Sequence, residues 1–85
     1  MNITPPNVNI NGTSQDDLVK QVSDVANALR SLKEAMLKAT PHGRDYYDPE
    51  MARKARNEHS ERLKAILEME SAYTQLAIDI FDQRR

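Results

Sequence analysis

The segment Thr40-Pro41-His42-Gly43-Arg44-Asp45-Tyr46-Tyr47-Asp48 gathers the side chains of this chain best suited to recognition chemistry: an imidazole, a guanidinium, carboxylates and two of the three tyrosines. Arg53, Lys54 and Arg56 follow closely, with His59 about one turn further on. An arginine fork offers paired hydrogen bonds to phosphate or carboxylate, and a phenol ring offers a flat face on which a base can stack. His42, Arg44, Tyr46, Tyr47, Arg53, Arg56 and His59 therefore form a candidate site for a small anionic, nucleotide-like ligand. The same residues have plainer roles open to them. Tyr46 and Tyr47 can close the end of a helical bundle, Arg44 can pair with Asp45 or Asp48, and His42 can cap the carbonyls of a preceding helix. A helix starting after the loop would add its dipole to anion binding, but Asp48 and Glu50 already occupy that end.

The residues that catalysis and metal binding need are missing from any usable pattern. There is no cysteine, no phosphate-cradling glycine loop, no Ser-His-Asp arrangement that spacing supports, and no inward Glu-x-x-His pair. The two histidines stand 17 positions apart with no thiolate to complete a ligand set. The expectation is a protein without catalytic residues, metal or cofactor.

The elements that must hold the loop read clearly. Residues 1–12 carry two prolines and four asparagines, which suits an extended arm. Within it Val8 and Ile10 alternate with asparagines, the period of a short edge strand or of a segment laid along another surface. Thr13 and Ser14 offer an N-cap, with Asp16 and Asp17 in the first turn. Leu18, Val22, Val25, Leu29, Leu32 and Met36 then recur at spacings of four and three, the seam of a coiled coil, over a helix at about 14–39. Pro41 and Gly43 end it, leaving residues 40–48 as the loop. Asp48-Pro49-Glu50 starts a second helix at about 49–82. Its seam reads Ala52, Ala55, His59, Arg62 or Leu63, Ile66, Met69, Tyr73, Leu76 and Ile80.

The fold expected is all-α: a long antiparallel helical hairpin over residues 13–85 with an extended arm over 1–12. At about 1.5 Å per residue the helices span roughly 40 and 50 Å, so about 10 Å of the second, around Leu76 to Phe81, needs other cover. The arm is the intramolecular candidate and a second subunit the intermolecular one. Leu63, Leu67 and Phe81 widen the apolar surface of the second helix beyond what one neighbour covers. Because 85 residues bury a modest core, the chain is expected to form a homo-oligomeric bundle through Leu63, Ile66, Leu67, Tyr73, Leu76, Ile80 and Phe81.

Composition narrows the remaining classes. Twelve Lys/Arg against thirteen Asp/Glu give a formal charge of −1, without the basic excess of a nucleic-acid binder. No stretch nears the roughly 20 apolar residues of a membrane span, nor is there a signal-peptide pattern. With no cysteine, a reducing cytoplasm is the expected compartment. Asn11-Gly12-Thr13 matches a glycosylation sequon but reads as turn chemistry in that setting.

Asn11-Gly12-Thr13-Ser14 followed by Leu18, together with Pro41-His42-Gly43-Arg44-Asp45-Tyr46-Tyr47, resembles a family of small uncharacterised phage and prophage proteins. The likeness covers most of the chain, departing at Asp48-Pro49-Glu50, where a Pro-Gln-Gly-like continuation would be expected. It implies a phage-encoded accessory protein acting in the bacterial cytoplasm. By analogy with phage nucleotide-sequestering anti-defence proteins, it implies capture of a nucleotide-like, immune-signalling ligand without chemistry. The alternative is a structural or adaptor protein whose apolar helix faces bind host or phage helices.

Overall fold

The computed structural model describes residues 1–8 and 12–83 and is built from two long helices, α1 (Gln15–Lys38) and α2 (Pro49–Phe81), joined by a loop containing a single 3-10 turn at Gly43–Asp45. There is no strand among the described residues. The helices pack as a hairpin into a rod measuring 60 × 19 × 16 Å. Its Cα radius of gyration is 18.0 Å, against about 12 Å for a compact domain of this length.

Each helix starts where the local chemistry dictates. Ser14 Oγ accepts from the Asp17 backbone N–H, with Asp16 and Asp17 in the first turn. Asp48 Oδ1 accepts from the Glu50 N–H at 2.9 Å, and Pro49 fills the first helical position, where no N–H is required. The two helices hold 24 and 33 residues, a difference of about 14 Å in length.

The arm covers that difference. Met1 lies near Lys64, Leu67 and Glu68, Ile3 near Ala72 and Leu76, and Pro6 and Val8 beside Gln83. Residues 1–8 thus run along the C-terminal half of α2, in the same direction as that helix. Gln83 fastens both sides of the contact: its Oε1 accepts from the Val8 N–H at 2.9 Å and its Nε2 donates to the Pro6 carbonyl at 2.8 Å. Gln15 completes the closure from the start of α1, donating through Nε2 to the carbonyls of Ile80 and Phe81. The period-2 pattern around Ile10 lies outside the described residues.

In α2 the seam follows a strict seven-residue spacing. Ala52, His59 and Ile80 are buried, with Ile66 and Tyr73 half-buried between them; Leu76 is also buried, and Leu63 faces the seam where Arg62 is exposed. In α1 the seam departs from the sequence pattern. Ala26 and Leu29 are buried and Lys33 is half-buried, whereas Val25 and Leu32 are 38% and 46% exposed. Ala26 lets the backbones approach closely, and Lys33 is drawn in by Glu70, so the helix turns its 22/26/29/33/36 line inward. Val25 and Leu32 are left on its flank.

The same packing revises the interface expected from sequence. Leu76 at 6% and Ile80 at 0% exposure belong to this chain's own core, because the start of α1 and the arm reach them. Leu63, Ile66 and Tyr73 are half-buried, while Leu67 and Phe81 remain exposed.

Glu70 is the electrostatic tie across the seam. Its carboxylate takes Arg30 Nε at 3.1 Å and Lys33 Nζ at 3.2 Å while only 14% of its side chain is exposed. The hydrogen bond from Lys33 holds the carboxyl below its ordinary value of 4.5, reinforced by the charges of Lys33 and Arg30 and opposed by desolvation.

Two outcomes are expected. Ile80→Ala should cost about 3 kcal/mol and Ser14→Ala about 1 kcal/mol in urea denaturation followed by helix circular dichroism. Because the folded chain releases the Glu70 proton more readily than the unfolded chain, this tie stabilises at pH above 4.5 and weakens as pH falls through the depressed folded value. The Tm of Glu70→Gln should lie below that of the parent at pH 7, and the two should converge on acidification.

Candidate functional site

The loop is ordered by its own short-range bonds. Thr40 ends the run of α1 by donating its hydroxyl to the Leu37 carbonyl at 2.7 Å. His42 then caps the 3-10 turn. Its Nδ1 accepts from the Arg44 N–H at 3.3 Å and its carbonyl accepts from the Asp45 N–H at 3.0 Å, while the Tyr46 N–H donates to the Gly43 carbonyl at 3.2 Å. The imidazole is thus a cap for the turn after it, where the sequence left open a cap on the helix before it.

The side chains of the turn differ in exposure. Tyr46 is half-buried and shares a hollow of about 320 Å³ with Met51, Lys54, Ala55 and Glu58 of α2. Tyr47 is fully exposed, at 108% of its reference surface. Arg44, Asp45, Tyr46 and Tyr47 line a second open hollow of about 220 Å³. The Arg56 guanidinium approaches the turn from α2, its Nη1 lying 3.8 Å from the place a Cβ on Gly43 would occupy. Among the described residues neither Arg44 nor Arg56 forms an ion pair. The pairing of Arg44 with Asp45 or Asp48 that the sequence allowed does not form.

Two of the candidate residues are engaged elsewhere. Arg53 pairs with Glu50 one turn earlier at 2.9 Å. His59 is 7% exposed within the helix seam, with Nε2 at 3.4 Å from Thr40 Oγ1. The Thr40 proton is committed to Leu37, so the imidazole meets that oxygen as an Nε2–H donor. His59 thus ties the end of α1 to α2 and does not face the loop hollow. The structure groups His42, Arg44, Tyr46 and Tyr47 on the turn with Arg56 near Gly43, while Arg53 is engaged by Glu50 and His59 is buried in the seam.

What sequence reasoning missed lies at the other end of the rod. The larger hollows, about 610 and 410 Å³, flank the arm where it lies on α2. Gln15 and Gln83, which fasten this end, carried no periodic or motif signal. Their partners are 65 to 77 residues away in sequence and become visible only when the hairpin closes.

Among the described residues no group of three or more His, Cys, Asp or Glu side chains is placed to hold a metal, and no helix is long and apolar enough to cross a membrane. What fold and site define is an all-α helical hairpin whose tip carries two tyrosines and charges of both signs. Comparisons with protein-family models, with curated proteins and with solved structures find no match to this chain.

Tyr47 and His59 should separate on mutation. Tyr47→Ala should leave stability within about 0.5 kcal/mol of the parent, as expected of a side chain with no buried surface. His59→Ala, which empties a buried seam position and removes the contact with Thr40, should cost at least about 1 kcal/mol in the same denaturation experiment.

Proposed function

We propose that this chain is a non-enzymatic interaction protein, structural or adaptor in role, that works through the outward faces of its helices. One observation carries this reading. The chain presents 6537 Å² of accessible surface, whereas a compact monomer of 9.7 kDa presents about 5,100 Å². The excess, roughly 1,400 Å², goes with the elongated two-helix rod. Among the side chains exposed on it are Val25, Leu32, Leu37, Met51, Leu67 and Ile78. Apolar residues at helical spacing on a rod of this shape suit docking of other helices.

Capture of a nucleotide-like anion at the loop is the second reading, favoured by the unpaired guanidinium of Arg44, which lines one hollow with the exposed Tyr47, and by that of Arg56 near Gly43. It ranks below the first because the hollow that Arg44 and both tyrosines share holds about 220 Å³ and is open, under the ~300 Å³ at which small-molecule sites begin. A neighbouring subunit would have to complete it. In either role the resemblance to small phage proteins implies action inside a bacterial cell.

Native mass spectrometry of the protein as purified from bacteria separates the two. The interaction reading expects polypeptide mass alone, unchanged after addition of a panel of cyclic and linear nucleotides. A retained small-molecule mass that Arg44→Ala removes would overturn it in favour of ligand capture, and would supply the ligand's mass.

A further inference from the structure

The flank of α1 that the hairpin leaves outside has a seam of its own. Gln21, Val25, Ala28, Leu32, Ala35 and Ala39 follow one another at spacings of four, three, four, three and four, and every one of them is exposed. This stripe carries no charged residue. It pairs two large apolar side chains, Val25 at 38% and Leu32 at 46% exposure, with small alanines that permit a close helix–helix approach. The seven-residue period is that of a helix with a second helical partner, and α2 already occupies a different face.

We infer that this stripe is the contact surface for a second copy of the same chain, with the two α1 helices antiparallel about a two-fold axis at Ala28. The arrangement follows from the register. With Ala28 against its own counterpart, Gln21 of each copy meets Ala35 of the other, and Val25 comes within about 1.5 Å along the axis of the level of Leu32. Both large residues thereby fall near one level, while small residues lie at the axis, where the backbones come nearest. Charge agrees with the same register. Asp17 at the start of α1 comes nearly opposite Lys38 at the end of the other copy's α1, and both are exposed. A parallel pairing would instead set Asp17 on Asp17 and Lys38 on Lys38. The antiparallel pairing gives a four-helix assembly with α1 helices inside and α2 helices outside, so the interface lies on α1 and not on the α2 residues singled out by sequence. This inference deepens the interaction reading by naming one partner.

The chain has no cysteine, so a single introduced thiol reports its own symmetry mate. Ala28→Cys should form a disulfide-linked dimer on mild oxidation, whereas Gln21→Cys should not, because its counterpart in the antiparallel pair lies about 21 Å away along the axis. Leu32→Glu, at a site already exposed, should keep full helicity by circular dichroism and run as a monomer in light scattering where the parent runs as a dimer. Cross-linking through both cysteines would overturn the antiparallel register, and a Leu32→Glu protein that stays dimeric would overturn the stripe. A parent that is monomeric at 100 μM would overturn self-association itself; the mass-spectrometric test of the interaction reading is unaffected by that result.

Discussion

Ile80 shows no exposed surface, and the reason it can be so enclosed is the length mismatch between two helices. An antiparallel pair whose second member runs longer leaves apolar side chains without cover at the open end, and among the described residues there is no third long helix to supply it. The extended arm does so, lying on α2 while Gln83 and Gln15 bind it and the helix ends together. Seam, arm and open end are therefore one packing problem with one solution. The loop at the far end is constrained differently, by caps and a 3-10 turn that involve little burial.

The surface follows from the core. A two-helix seam uses only one face of each helix, so apolar residues beyond that face either weaken solubility or serve a partner. On α1 those residues keep a regular period, which argues for a helical partner. At the tip, Arg44 and the two tyrosines are held by backbone turns around one small, open hollow. The difference between a patterned flank and a hollow of that size is why contact between helices is proposed ahead of ligand capture.

Much of the hairpin was legible because its boundaries are written in local chemistry. Ser14, Asp48 and Pro49 act within one turn of where they stand, and the α2 seam repeats every seven residues. The seam of α1 was less legible because the pattern ranks residues by size. Val25 and Leu32 outweigh Ala26 and Lys33 on any apolar scale, yet the small residue and the ion-paired one go inside, a choice made by Glu70 across the seam. The candidate site was legible as a list of residues and not as a geometry. His59 and Arg53 share its sequence neighbourhood, but helical phase carries one inward and an adjacent carboxylate takes the other. The clamp residues Gln15 and Gln83 were not legible, since a polar side chain at a helix end acquires meaning only from distant backbone.

The placement of that clamp has a kinetic side. Closing the short loop that joins the helices costs little chain entropy, whereas bringing Val8 to Gln83 directly, across a separation of 75 residues, costs about 2 kcal/mol more by loop-length scaling. Once α1 and α2 have zipped together from the tip, the same contact closes only the few residues between the arm and the start of α1. The arm therefore docks last and detaches first, and its state reports whether the rest of the hairpin has closed.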